Sequence, residues 1–383
     1  MYNDNYHKHA GNYHLNPRIP GHSSAGYWEK IEVYRVEKLK GVEEKFCEVN
    51  TQVDPDFINL LGSDRPPSDT YLLHYAPGWD KNRLNPPVLL IHGAGLDASS
   101  FTNIYNLGYK GLQQRLVERG HKVFALTFPH SHGDNFIQGE IIADAIQRIK
   151  NLCHTPQVDL VTHSKGGIAA RIYLSGLAFT PYRGDVRRII MLGVPNLGTD
   201  YAFRNPTISY LIFMIGGNGV IAWDKIIYMG GMIDITPRSI YHDGCFPGQS
   251  QILYRFDDIY PLDTTQQDWW TTYYGGTGFI SHSRGIKAAI KDGGFLIDRL
   301  ERKGLSPDIE IAVLAGSNNF MGIIPIQTAP LSDGIVFVDS ALHTDGMTKN
   351  GAKILNKTIM PVNHIELLYL KNVALWVHEQ LTA

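Results

Sequence analysis

The sequence predicts an α/β fold, a mostly parallel, doubly wound sheet flanked by helices, with one long insertion before the last strands. Three observations carry this prediction. Continuous apolar runs bounded by glycine or proline recur along the chain, the pattern of strands buried on both faces. Segments with helical periodicity lie between them. This alternation then stops for about a hundred residues and resumes.

Taken in order, the first 27 residues are rich in Asn, His, Tyr and Gly, lack periodicity, and are expected to form a flexible polar arm. His7, His9 and His14 within it have neither a carboxylate nor a helix to make them a metal site. Residues 28–383 are expected to form one domain. Its apolar runs are Val88 to Ile91, Val123 to Leu126, Val158 to Val161, Ile189 to Leu192 and Ile309 to Leu314. Between them, Leu112, Leu116 and Val117 share one helical face, as do Ile141, Ile142, Ala145, Ile146 and Ile149. Ile168, Ala169, Ile172 and Leu174 follow Ser164 in the same manner. A last strand is expected over Ile354 to Met360, then an amphipathic helix with Leu367, Leu370, Val373, Ala374 and Val377 on one face. Alternating strands and helices joined by short loops imply βαβ units. Residues 199–306 read as an insertion between two sheet strands, because a strand lies beyond them.

Composition removes several classes of function. With 35 basic against 37 acidic side chains and a net charge of -2, the chain lacks the basic footprint of a nucleic-acid binder. The three cysteines, Cys47, Cys153 and Cys245, make neither a disulfide framework nor a CxxC pair; one disulfide and three reduced thiols both fit. The most apolar window, Tyr210 to Ile215, breaks at Gly216 and is far short of the roughly 18 residues that a membrane span needs. No apolar signal region follows Met1, so the chain as given is expected to be cytoplasmic, a secreted mature form being the alternative.

The chemistry concentrates at the ends of the runs. Val158-Asp-Leu-Val-Thr-His-Ser-Lys-Gly-Gly-Ile-Ala-Ala-Arg carries a buried strand directly into Ser164 and then into a helix. A serine on such a turn is held in a strained conformation and needs small neighbours, which Gly166 and Gly167 supply. The helix N-terminus behind it favours developing negative charge.

Thr162-His163-Ser164-Lys165-Gly166 resembles the nucleophile elbow of α/β-hydrolase-fold lipases and esterases, with Thr162 where that pattern has glycine. The resemblance implies the α/β-hydrolase fold and Ser164 as nucleophile. It also gives a role to Leu90-Ile-His-Gly-Ala-Gly, where the backbone N–H of Ala94 would join that of Lys165 as an oxyanion donor, His92 being structural. Leu192-Gly-Val-Pro-Asn-Leu-Gly-Thr-Asp is similar to the segment after the next strand in bacterial lipases and polyhydroxyalkanoate depolymerases, which commonly have histidine where this chain has Asn196. In this fold the nucleophile, the acid and the histidine follow in that chain order. Met360-Pro-Val-Asn-His-Ile resembles the histidine loop and implies His364. Leu331-Ser-Asp-Gly resembles the acid loop and implies Asp333, with Asp339 and Asp345 as nearby alternatives. His130 and His132 follow another strand; they line the pocket or, with Asp134, hold a metal.

Residues 199–306 hold an unusual density of aromatic side chains, including Asp268-Trp-Trp-Thr-Thr-Tyr-Tyr. In the fold that the chain resembles, this insertion caps the site as a lid. Most of its aromatics are expected to form the insertion's own core, with Trp269, Trp270, Tyr273 and Tyr274 as candidate lining residues beside His163. The expected function is hydrolysis of a bulky apolar carboxylic ester, lipid or polyester, with no cofactor and no metal. The alternatives are a polyhydroxyalkanoate depolymerase, an amidase, lactonase or transacylase with the same triad, and a non-enzymatic binding protein on the same fold.

Overall fold

Eight strands form one sheet: β1 (Lys30–Arg35), β2 (Thr70–Tyr75), β3 (Leu84–Ile91), β4 (His121–Thr127), β5 (Val158–His163), β6 (Val186–Leu192), β7 (Glu310–Gly316) and β8 (Lys353–Met360). Their order is β1-β2-β4-β3-β5-β6-β7-β8. The six strands from β4 to β8 across the sheet run parallel, and β1 and β2 add an antiparallel edge. The computed structural model describes residues 25–383, apart from 215, 217–218, 263–264, 266, 322–323 and 326–329. Most of the expected N-terminal arm, with His7, His9 and His14, thus lies outside the described residues.

The five apolar runs fall within β3 to β7, except that Ile309 stands just before β7, and the last strand starts one residue earlier than expected. Every residue of β5 is buried. The sheet needs a helical layer on each face because successive side chains point to opposite sides. On one face Leu89 and Ile91 pack with α1 (Asn135–Cys153), α2 (Lys165–Leu174) and the helix Leu296–Lys303. On the other, Val88 and Leu90 pack with the helix Leu112–Val117 and with α3 (Lys371–Thr382). The C-terminal helix begins later than its apolar face suggested. Leu367 is buried from a preceding 3-10 turn, and Leu370 stands at the N-cap. Two strands, β1 and β2, were not among the expected elements.

The span between β6 and β7 is not uniform. Lys225–Tyr228, Gly231–Asp234, Gly276–Thr277 and Ser281–Ser283 form a small antiparallel sheet. Ala202, Phe203, Ala222, Ile240, Tyr241, Leu253, Tyr273, Ile286 and Ala289 make a separate core beside it. The last helix of the span, Leu296–Lys303, instead buries Leu296, Ile297 and Leu300 in the core of the large sheet. Among the described residues no helix is long and apolar enough to cross a membrane.

Candidate active site

Ser164 joins β5 to α2 with φ 52 and ψ -133, a conformation that an L-residue adopts at a cost of roughly 1–3 kcal/mol. Neighbouring backbone holds it there: Ser164 N–H donates to Leu192 O at 3.0 Å, and Gly167 N–H donates to Ser164 O at 3.0 Å. Three glycines make the turn sterically possible. A Cβ on Gly93 would lie 2.8 Å from Ser164 Cβ and 2.9 Å from His163 Nδ1. One on Gly166 would overlap the His92 carbonyl and stand 2.9 Å from that of Ile91, and one on Gly167 would meet the Val194 side chain. Thr162 fits where the resembled pattern has glycine. It is fully buried, its hydroxyl bonds Ile190 O at 3.4 Å, and the glycine at 167 leaves room for that hydroxyl.

His364 and Asp333 come from the loops after β8 and β7 and meet beside this turn. His364 Nδ1 lies 2.7 Å from Asp333 Oδ2, and His364 N–H donates to Asp333 O at 2.9 Å. The other carboxylate oxygen, Oδ1, accepts the N–H groups of Ile335 at 3.0 Å and Val336 at 2.8 Å, which fixes the plane of the group. Both side chains are buried, with Asp333 1% exposed and His364 4% exposed. Of the three candidate acids, Asp333 therefore meets the histidine. Asp339 is exposed and accepts the Tyr260 hydroxyl, and Asp345 is exposed at a helix start. Gly193, with φ 56, is required at this junction, since a Cβ there would stand 2.9 Å from Asp333 Oδ2 and 3.2 Å from His364 Nδ1.

His163 links the two halves of the site. Its Nε2 donates to the His364 carbonyl at 3.0 Å, and the two rings lie 4.6 Å apart. Burial holds its pKa well below that of an ordinary histidine, so the ring is neutral. His163 is thus a support beneath His364. His92 is likewise structural: its Nδ1 contacts Gly93 O at 2.8 Å and its Nε2 accepts Phe128 N–H at 3.2 Å.

Lys165 gives the site a feature that sequence reasoning missed. Its backbone N–H opens α2, where the first donors have no intrahelical partner. Its side chain, read from sequence only as the residue after the serine, is buried and donates to Gln138 Oε1 at 2.6 Å. Glu44 and Asp134 carry the opposing charge nearby, but burial outweighs them and brings the ammonium pKa down to about 7. Glu44 Oε1 accepts Asp134 N–H at 2.6 Å, and burial pushes its carboxyl up to about 7. No sequence signal pairs residues so far apart in the chain.

The remaining candidates separate. Ala94 lies in the loop against Ser164, and His132 sits beside the same loop, its Nε2 3.0 Å from where a Gly95 Cβ would be. His130 is buried, contacting Lys45 O at 3.0 Å and the Asn50 amide at 3.2 Å. Asp134 caps α1 by accepting Phe136 N–H and also accepts the Gln251 amide. Among the described residues no group of three His, Cys, Asp or Glu is placed to hold a metal ion. Trp269, Trp270, Tyr273 and Tyr274 lie on the helix Gln267–Tyr274 of the insertion. Tyr273 is corrected to a core residue: it is fully buried and its hydroxyl donates to Asp200 Oδ2 at 2.8 Å. Trp270 and Tyr274 are exposed, the latter bonded to Asp257, and Trp269 is half-buried.

Residues 88–272 match the alpha/beta hydrolase family. The match includes Ser164 and ends before Asp333 and His364. The sheet order, with helices on both faces, is the α/β-hydrolase fold. Among solved structures the chain is similar to a Bacillus licheniformis lipase, BlEst2 in mature form (16% identity, 77% of this chain and 91% of that one, TM-score 0.40). It is also similar to EstA from Clostridium botulinum (14%, 94% and 95%, TM-score 0.41). Aspergillus fumigatus lipase B is a third (13%, 91% and 61%, TM-score 0.46). At these identities no residue role is carried over.

Proposed function

We propose that this protein, which matches the alpha/beta hydrolase family over residues 88–272, is a serine hydrolase of carboxylic esters, with Ser164 as nucleophile, His364 as general base and acid, and Asp333 as the orienting carboxylate. The observation that carries the reading is the strained Ser164 turn set beside a buried His364–Asp333 pair bonded at 2.7 Å. Asp333 on Nδ1 leaves Nε2 of His364 as the nitrogen that exchanges a proton. Ser164 Oγ attacks the ester carbonyl as His364 accepts its proton, and the tetrahedral oxyanion is held by the N–H groups of Ala94 and Lys165. His364 then protonates the departing alkoxide, and water, deprotonated by the same ring, releases the acid and Ser164.

The insertion supports a bulky apolar substrate. Met229 is 90% exposed and Phe279 75% exposed in the turns of the small sheet, with Met232 exposed on one of its strands and Ile280 exposed just before another. We assign this surface to a lid over the site. The test is a panel of p-nitrophenyl esters of increasing acyl length, run with a fluorophosphonate label. Rising kcat/KM with chain length, and labelling lost in Ser164→Ala, are expected. Labelling without cleavage of any ester would move the activity to amides or lactones. Unchanged turnover in Ser164→Ala would remove the site altogether.

A further inference from the structure

Two of the three cysteines meet across the longest sequence separation that they span. Cys47 lies in the segment between β1 and β2, and Cys245 lies in the insertion, yet one side chain, Asn50, bonds the backbone of both, and each thiol neighbours the other. The surrounding contacts show that the approach is built and not accidental. Cys47 N–H donates to Asn50 Oδ1 at 2.8 Å, and the Asn50 amide nitrogen reaches both the Cys245 carbonyl and His130 Nε2. Lys45 Nζ donates to Asp243 O at 3.2 Å, and Cys245 N–H donates to Pro237 O at 3.2 Å. Two segments 198 residues apart in the chain, counted from Lys45 to Asp243, are thereby held face to face.

The two sulfurs differ in ways that suit thiol–disulfide exchange. Cys47 is partly exposed, whereas Cys245 is buried. The neighbouring Cys245 thiol first, and then the Arg238 guanidinium, bring the Cys47 thiol down to about 7, which favours its thiolate. Cys245 is held above an ordinary thiol, first by its Cys47 neighbour and then by burial. An accessible thiolate with a protonated partner at its side is an attacking and a resolving cysteine.

We propose that Cys47 and Cys245 form a redox-controlled disulfide that braces the insertion against the body of the protein, with a low-molecular-weight disulfide as oxidant. Cys47 thiolate attacks one sulfur of the oxidant, which stays on Cys47 as a mixed disulfide, while the S–S bond breaks and the other half leaves as a thiolate. That thiolate takes the Cys245 proton. Cys245 then attacks the Cys47 sulfur and expels the second half of the oxidant, which leaves as a thiolate and is protonated by water. Two protein thiols are oxidised to one disulfide, and one small disulfide is reduced to two thiols.

The position of the bond gives it an effect on the site. Just after Cys245, the short helix Pro247–Ser250 packs on the Lys165 side chain at Gly248. Gly248 N–H donates to His132 O at 3.1 Å, and Gly248 O accepts the Asn135 amide at 3.0 Å. Closing the disulfide would tie this contact to the segment carrying Glu44 and Asn50, on the other side of the same loop.

The experiment treats the full chain with oxidised glutathione and maps its cysteines by non-reducing peptide mass spectrometry. One peptide linking Cys47 to Cys245 is expected, with Cys153 still a thiol. The oxidised protein should melt about 5 °C higher, reversibly with dithiothreitol, as closing so long a loop predicts for a chain of this size. Cys245→Ser should instead trap a stable glutathione adduct on Cys47. Three free thiols after oxidation, a link through Cys153, or a persistent adduct on Cys47 in the unaltered chain would overturn the disulfide. A linked peptide with unchanged melting would overturn the brace. Should Cys245→Ser not fold, Cys47→Ser, which must give neither link nor adduct at Cys245, provides the same decision.

Discussion

The edge of the large sheet and the insertion above it treat their side chains in opposite ways. At the C-terminal ends of the strands, which form this edge, central β5 is buried along its whole length, and the turns after β3, β5 and β6 are packed until glycine alone fits at 93, 166 and 193. In the insertion, Met214, Met229, Phe279 and Trp270 stand in solvent, and the hairpin strand Gly231–Asp234 is exposed throughout. The first region spends its packing on one fixed geometry, which transition-state stabilisation requires. The second leaves apolar area uncovered, which binding a variable apolar chain requires. Substitutions at the edge should therefore change rate and stability steeply, and those on the insertion should change substrate preference with little else.

The largest effect is expected at the acid. Asp333→Asn should lower kcat by about 10⁴-fold, because the amide leaves His364 in the wrong tautomer and does not stabilise the imidazolium. Asp339→Asn, on the exposed partner of Tyr260, should remain within about twofold of the parent. Full activity in the first variant together with a large loss in the second would exchange their roles.

Next comes the packing itself. Gly166→Ala places a methyl group against the carbonyls of Ile91 and His92, backbone atoms that cannot rotate away. A loss of about 2–4 kcal/mol in urea unfolding is expected, accompanied by lower activity, since those carbonyls belong to the loop that carries Ala94. A stable, fully active variant would show that the edge is softer than its geometry indicates.

These residues also mark what was legible in the sequence. The parallel strands could be read because burial on both faces requires unbroken apolar runs, and Ser164 because it stands where one ends; Asp333, far beyond the end of β7, and His364 were named only through the resemblance of their loops to those of lipases. β1 was missed: Lys30-Ile-Glu-Val-Tyr-Arg is a half-exposed edge strand whose charged residues break the run. β2 was missed although all of Thr70–Tyr75 is buried, because His74 and two tyrosines within it read as polar. His74 is tolerated there because it bonds Thr127 at 2.9 Å and burial holds it neutral, its pKa brought down to about 3. The placement of Glu44 near Lys165 could not be read at all, since only the folded chain brings those charges into one region.

That placement gives the next prediction. The folded-state pKa of Glu44, about 7, lies above its ordinary value of 4.5, so folding favours its protonated form. The stability that this provides is complete below about pH 4.5 and is lost as pH rises through 7. Glu44→Gln removes the titration. Its stability relative to the parent should therefore improve between pH 5 and pH 8, by an amount on the order of 2 kcal/mol. Parallel unfolding curves at the two pH values would mean that Glu44 is ionised throughout, held by the Asp134 N–H and the Ser68 hydroxyl.

The smallest effect is the one that tests the insertion's side of the contrast. Met229 and Phe279 are the most exposed large apolar side chains in the turns of its small sheet, whose two central strands are joined beside them by the Ile227 N–H donating to Ile280 O. Neither side chain is buried, so replacing both with serine removes almost no packing, and the melting temperature should stay within about 1 °C. If the surface holds acyl chains, the double variant should lose about five- to tenfold in kcat/KM for a long-chain ester, the worth of one or two buried methylenes. Hydrolysis of an acetyl ester, too short to reach that surface, should be unchanged. An equal loss on both esters would place the effect at the sheet edge, and no loss on either would make these apolar residues an ordinary solvent-facing surface with no share in substrate choice.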